Sequence, residues 1–107
     1  MAVNFSQRLK DAPELTAAMT GSFTSIGTLL HNPAIIIFDN QGSVSVAISM
    51  DGGTTTWRTF PAGEAIVLDL RVAQGIAPNL SFPIGMTFHG NGASGTFSIS
   101  YVYANDS

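Results

Sequence analysis

The chain contains no cysteine, which excludes disulfide bonds, thiolate metal sites and a cysteine nucleophile. Charged residues are also scarce: they make up 10% of the 107 residues, against about 25% in an ordinary soluble domain. Because charge keeps proteins apart in solution, a surface this poor in charge favours association with other chains. Hydrophobic residues amount to 45%, and a chain of this length can bury a single core.

Basic residues are few, and they are scattered along the chain. The net charge is −3, and the four basic residues lie far apart, at Arg8, Lys10, Arg58 and Arg71. No basic stripe is available to neutralise phosphates, so we expect no nucleic-acid binding. The N-terminal residues lack the apolar run of a signal peptide, and no segment approaches the roughly 20 apolar residues of a membrane span. We therefore expect a soluble chain with no export signal and no membrane contact.

The sequence offers no convincing catalytic group. The two histidines, His31 and His89, cannot supply the three ligands that a cupin-like metal enzyme needs. Glu64 and Asp69 are close in sequence, but their odd spacing puts them on opposite faces of a strand, where they cannot share acid–base chemistry. The positions of His89 and Asp69 in their predicted strands do not exclude a Ser-His-Asp arrangement, although no G-x-S-x-G elbow accompanies it. We expect no catalytic residue, no cofactor and no metal.

Two glycine-containing patterns have simpler interpretations as turns. Residues 90–95 match G-x-G-x-x-G, but that pattern binds a dinucleotide only when a helix leaves the loop, and here a strand pattern follows. Asp39 and Asp51 lie beside asparagine or glycine, as in calcium loops, but their spacing does not match one. We interpret both aspartates as turn residues that bond their own backbone.

Alternation of polar and apolar residues predicts strands along most of the chain. It is most regular over residues 43–50 and 96–103, where one face is apolar. The inward residues there are Val44, Val46, Ile48, Met50, Phe97, Ile99, Tyr101 and Tyr103. Similar patterns predict inward sets of Ile66, Leu68 and Leu70, and of Ile84, Met86 and Phe88. Thr56–Phe60 and residues 22–30 are rich in β-formers, and Gly27 predicts a bulge or a bend in the latter.

The turns between these strands predict the fold class. Asp39-Asn40-Gln41-Gly42 indicates a tight hairpin, and Asp51-Gly52-Gly53 opens another turn. We expect an all-β fold over residues 21–107, an antiparallel, jelly-roll-like β-sandwich of about eight strands. Residues 1–20 are predicted to form a short N-terminal arm, with a helical turn at 13–19 that Gly21 ends.

One predicted strand points to contacts outside the domain. Ala34–Phe38 has no polar side, so we expect one face to meet the core and the other to be covered by the arm or by a neighbouring subunit. Trp57, beside Arg58 and next to a Gly-Gly turn, is a candidate for exposure, and tryptophan is frequent at protein interfaces. The interface candidates are Phe5, Leu9, Leu15, Ile35, Ile37, Trp57 and Arg58.

Four stretches of the chain carry a resemblance to a known class of protein. They are residues 44–55, with Ser-Met-Asp-Gly-Gly; 60–70, with Pro-Ala-Gly-Glu and Leu-Asp-Leu; 82–88, with Phe-Pro-Ile-Gly; and 95–101, a glycine-led strand. Together the chain over about residues 32–104 resembles small β-sandwich virion proteins of tailed bacteriophages. The N-terminal 20 residues are not part of the pattern.

The resemblance implies a structural role with no catalytic residues to carry over. The chain would decorate the capsid or form part of a ring at the neck or tail, in a virion assembled in the host cytoplasm. Its partners would be copies of itself, in a homo-oligomer, and other virion proteins. The alternative is a carbohydrate- or receptor-binding module that uses Trp57, since aromatic rings on β-sandwiches can form sugar platforms.

Overall fold

A computed structural model describes residues 9–70, 82 and 84–104 of the chain. Within these residues, nine strands in place of about eight form two antiparallel sheets that pack as a sandwich, which confirms the predicted fold class. The strands are β1 (Leu9–Asp11), β2 (Leu15–Ala18), β3 (Thr24–Thr28), β4 (Pro33–Asn40), β5 (Val46–Ser49), β6 (Thr56–Phe60), β7 (Ala65–Asp69), β8 (Thr87–Asn91) and β9 (Thr96–Ala104).

The first sheet has the strand order β1-β9-β4-β7, and β2 also pairs with β9. Because β4 occupies one edge of β9, β1 and β2 lie one after the other along its other edge. The second sheet has the order β3-β8-β5-β6. Successive strands thus often change sheet, as in sandwiches of the Greek-key type.

The helical turn predicted over residues 13–19 is wrong, because Leu15–Ala18 form strand β2. Leu15 pairs with Ile99 of β9, and this pairing satisfies backbone groups that an open strand edge would leave exposed. Pro13, which has no N–H to donate, lies in the break between β1 and β2. Of the predicted arm, residues 9–11 and 15–18 are therefore strands of the first sheet, and residues 1–8 lie outside the described residues.

The tight hairpin predicted at residues 39–42 is also wrong. Strand β4 continues through Asn40, and residues 41–45 carry the chain across to β5 in the second sheet. Asn40 is fully buried, so its side chain bonds groups inside the sandwich instead of closing a two-residue turn. The turn predicted at Asp51-Gly52-Gly53 is confirmed, and both glycines have positive φ, of 76° and 100°, which a side chain would disfavour.

The predicted alternation is confirmed in β5, β7 and β9. The core between the sheets contains fully or nearly fully buried residues from both, including Ile36, Phe38, Val46, Ile48, Phe60, Leu70, Phe88, Phe97, Ile99 and Tyr101. The bulge predicted at Gly27 is confirmed by a register shift between Ser25 and Gly27 in the pairing of β3 with β8. Replacing Gly27 would bring a new Cβ to 2.8 Å from Leu15 Cδ2, so the bulge lies where β2 crosses β3.

The inward position predicted for Ile84 is wrong, because its side chain is 60% exposed. Ile84 lies in a turn before β8, which begins only at Thr87. The Gly85 N–H donates to the Leu29 carbonyl oxygen at 2.9 Å, and the Ile84 N–H donates to the Asn32 side chain at 3.2 Å. Because these bonds hold Ile84 and Gly85 in a turn, strand β8 begins only at Thr87.

Candidate protein interface

The outward face of the first sheet carries apolar side chains across three neighbouring strands. In the pairing register, Ile37 of β4 lies between Val67 of β7 and Ser100 of β9. Two residues earlier in β4, Ile35 lies between Asp69 of β7 and Val102 of β9. Val67 is 61% exposed and Ile37 is 37% exposed. We call Ile35, Ile37, Val67 and Val102 the apolar face.

A groove of about 540 Å³ runs along one side of the apolar face. Its floor comes from β4 and β9, and its wall comes from the break between β1 and β2. The residues that line it are Asp11, Ala12, Glu14, Ile35, Ile37, Ser100, Tyr101 and Val102. Ala12 keeps the wall attached to β9, because its N–H donates to the Tyr101 carbonyl oxygen at 3.0 Å. The wall forms here because Pro13 interrupts the edge strand between β1 and β2.

The two charged side chains among the described residues that line this groove are both acidic. Asp11 and Glu14 line the wall, and both residues are exposed. Glu14 Oε2 accepts a hydrogen bond of 3.4 Å from the Ser100 hydroxyl, which holds that carboxylate over the floor. The groove therefore combines an apolar floor with a negative wall, an arrangement that favours an apolar partner carrying positive charge.

The outward face of the second sheet is different in character. Its paired outward residues are polar, with His89 of β8 between Ser25 and Ser49. On the same face, the Thr28 and Thr87 hydroxyls are 2.7 Å apart and hydrogen bonded. Among the described residues, this face has no counterpart of the exposed apolar pair Ile37 and Val67, so the first sheet is the better candidate for an interface.

The turn after β5 covers part of the second sheet. Ser49 is buried, and its hydroxyl donates to Asp51 Oδ1 at 2.7 Å. The same carboxylate oxygen accepts from the Thr55 N–H at 2.8 Å. The bond from Ser49, followed by that from Thr55, lowers the pKa of Asp51 below its ordinary value. The interpretation of Asp51 as a turn residue is thus confirmed, whereas that of Asp39 is wrong, because Asp39 lies within β4 and pairs with Ala65 and Ser98.

Trp57 and Arg58 lie on β6, at the edge of the second sheet and away from the apolar face. The Trp57 ring is 40% exposed, and its centroid is 5.2 Å from that of the core residue Phe38. A shallow groove of about 370 Å³ beside it is lined by Met50, Asp51, Thr55, Thr56 and Trp57. Arg58 forms an ion pair of 3.6 Å with Glu64. These two residues form a separate surface.

The interface candidates predicted from sequence thus fall in different places. Ile35 and Ile37 share the apolar face, whereas Leu15 is half-buried and packs against the core. Leu9 lies in β1, and Phe5 lies outside the described residues. The participation of all these residues in an interface stays a prediction.

Sequence reasoning did not group four residues with this site: Val67, Val102, Asp11 and Glu14. The outward phase of Val67 and Val102 in their strands was a usable signal. Only the register, however, shows that they flank Ile35 and Ile37.

The structure does not bring His89 and Asp69 together into a Ser-His-Asp arrangement. His89 is on the outward side of the second sheet, opposite Ser25 and Ser49, while Asp69 pairs with Ile35 on the outward side of the first. The sandwich core separates them, so the triad hypothesis is wrong. Within the described ranges, no group of three or more His, Asp or Glu residues is placed to hold a metal ion.

A strand leaves the G-x-G-x-x-G segment, as the sequence predicted. Gly90 and Asn91 lie in β8 and Thr96 begins β9, so no helix N-terminus is present there to hold a pyrophosphate. In the part of the chain that the structure covers, no helix is long and apolar enough to cross a membrane. A comparison with family models found no match, and comparisons with curated proteins and with solved structures found none either.

Proposed function

We propose that the chain is a non-catalytic structural subunit of a tailed-phage virion that works by packing against copies of itself and other virion proteins. The observation that carries the proposal is the apolar face. Val67 and Ile37 stand exposed side by side on paired strands, and the adjoining groove extends the apolar surface to Ile35 and Val102. Exposed apolar surface of this kind, rimmed by polar groups, is typical of protein interaction sites.

The composition supports the same proposal. With 10% charged residues, the chain has little electrostatic repulsion to keep copies apart. Burial of the apolar face is then the larger contribution to the free energy of association. Burying apolar surface contributes roughly 25 cal/mol per Å². The sandwich beneath the face has a closely packed core, which suits a rigid building block. The assignment to a virion rests on the resemblance in residues 32–104, and a capsid decoration or a neck or tail ring would both use such a block.

Two measurements test this proposal. The native mass of the full chain, determined by light scattering, should correspond to a discrete oligomer, and a monomer at every concentration would contradict packing between copies. Mass spectrometry of density-purified particles of the phage whose genome encodes the chain should find it in many copies per particle. Its absence from intact particles would contradict the virion assignment.

A second candidate function is binding of a glycan or receptor at Trp57. It is favoured by the groove beside this residue, which combines a part-exposed ring with the polar side chains of Asp51, Thr55 and Thr56. Because Trp57 is the only tryptophan, its fluorescence reports directly on this groove. A glycan that changes the fluorescence, and whose binding is lost in Trp57→Ala, would support this candidate. No response across a panel of neutral and acidic glycans would contradict it.

A further inference from the structure

We propose that the groove beside the apolar face binds the N-terminal segment, residues 1–8, of another copy of the chain. This inference rests on the proposed packing function and names the segment that does the packing. It is carried by three features of the chain: the chemistry of the groove, the composition of the segment and the direction in which β1 starts.

The chemistry of the segment complements that of the groove. The groove has an apolar floor, including Ile35 and Ile37, and an acidic wall of Asp11 and Glu14. The segment Met-Ala-Val-Asn-Phe-Ser-Gln-Arg contains apolar side chains and one charged residue, Arg8. Phe5 supplies an aromatic anchor of the kind that dominates interface energetics, and Arg8 supplies the positive charge that an acidic wall favours.

Packing of the apolar faces alone would leave the acidic wall of each copy without a positive partner, because the apolar face has no charged side chain. Arg58 is on the other sheet and already pairs with Glu64. Arg8 is therefore the better source of compensating charge.

The direction of β1 favours a groove on a neighbouring copy. Leu9 pairs with Ala104 and Asp11 pairs with Val102, so the strand enters past the end of β9 and runs toward the groove wall. Residues 1–8 precede Leu9, the end of β1 that is farther from the groove wall at Asp11. Eight residues in extended form span about 26–29 Å, which is ample to cross strands spaced about 4.8 Å apart on a neighbour.

Cysteine cross-linking tests the proposal cleanly, because the natural chain has no cysteine. Full-length Phe5→Cys is mixed with full-length Ile37→Cys under a mild oxidant, and the disulfide-linked pair is quantified on a non-reducing gel. Such a bond forms only when the two Cα atoms approach to about 4.4–6.8 Å. The matched control is Leu30→Cys, at an apolar residue that is 62% exposed and does not line the groove.

We expect the disulfide between Phe5→Cys and Ile37→Cys to form at least about tenfold faster than that between Phe5→Cys and Leu30→Cys, a ratio equivalent to about 1.4 kcal/mol. We also expect Arg8→Gln to slow this reaction and Arg58→Gln to leave it unchanged. Equal rates with both partners would overturn the proposal. So would a double variant, Phe5→Cys with Ile37→Cys, that links within a single chain irrespective of dilution.

The native mass separates failure of this inference from failure of the proposed function. If the wild-type chain forms a discrete oligomer that Val67→Glu dissociates, while Phe5→Cys links equally to both partners, only the inference about the N-terminal segment is overturned. If the wild-type chain is monomeric at every concentration, the proposed packing between copies and this inference both fail.

Discussion

The Asn40 side-chain amide donates a hydrogen bond of 3.1 Å to the carbonyl oxygen of Phe60, which ties a strand of the first sheet to a strand of the second. The same nitrogen lies 2.9 Å from the Val44 carbonyl oxygen and 3.0 Å from that of Pro61. On its other side, Asn40 Oδ1 accepts from the Gly42 N–H at 3.1 Å. One buried side chain thus fixes both the crossing between the sheets and the end of β6.

Removing this side chain should destabilise the fold strongly. Asn40→Ala leaves the Gly42 N–H and several carbonyl oxygens without their partner, and we expect a loss of about 3 kcal/mol in the free energy of unfolding. Urea denaturation measures the loss. The matched control is Gln41→Ala at the exposed neighbouring position, expected to change stability by less than about 0.5 kcal/mol. Similar values for both variants would contradict this role.

Asn40→Asp tests the polarity of the same contacts without changing the volume of the side chain. The substitution replaces the amide donor with an oxygen that faces three carbonyl oxygens. At neutral pH a carboxylate there would be buried and repelled, so we expect this variant to be less stable than Asn40→Ala. A variant as stable as the wild-type chain would show that the amide is not the donor.

The close approach of β2 to β3 predicts a coupling between Gly27 and Leu15. A methyl group at position 27 would meet Leu15 Cδ2 at 2.8 Å and Leu15 Cβ at 3.1 Å. We expect Gly27→Ala to cost about 1–2 kcal/mol through overpacking. In Gly27→Ala with Leu15→Ala, the contacts with Cδ2 and Cγ are removed while the Cβ atom at 3.1 Å remains, so the combined loss should be smaller than the sum of the two single losses. Additive losses, measured by thermal unfolding, would show that the two residues do not touch.

The turn after β5 predicts a contribution to stability that depends on pH. Because the hydrogen bonds from Ser49 and Thr55 lower the pKa of Asp51 in the folded chain, the ionised form is favoured by folding. This contribution is fully present above the unfolded pKa of about 3.9 and is lost as the pH falls through the lower, folded pKa. Unfolding midpoints of wild type and Asp51→Asn should therefore converge on acidification. A difference that stays constant from pH 6 to pH 2 would contradict this account.

Much of the sandwich could be predicted because one face of each main strand is buried. The alternation in β5, β7 and β9 follows directly from that, and the Gly27 bulge was recognisable from a glycine within a β-rich run. Residues 13–19 misled because Pro13 and Gly21 are typical helix boundaries, whereas pairing with the free edge of β9 decided the outcome. The sequence of residues 13–19 carries no local signal of the pairing between Leu15 and Ile99, which lies 84 residues further along the chain.

The candidate site was only half predictable, for a similar reason. Ile35 and Ile37 stood out because their strand has no polar side. Val67 and Val102 each looked like an isolated outward residue, and only the pairing of β7, β4 and β9 unites them. The acidic wall depends on the break between β1 and β2, which cannot be recognised while that segment is predicted to be helical.

The most direct test of the central claim is the native mass of two variants with matched substitutions. Val67 and Leu30 are almost equally exposed, at 61% and 62%, but only Val67 belongs to the apolar face. Light scattering should find the oligomer of the wild-type chain preserved in Leu30→Glu and dissociated in Val67→Glu, with circular dichroism showing both variants folded. If folded Val67→Glu keeps the wild-type mass, the apolar face is not the surface through which the chain assembles.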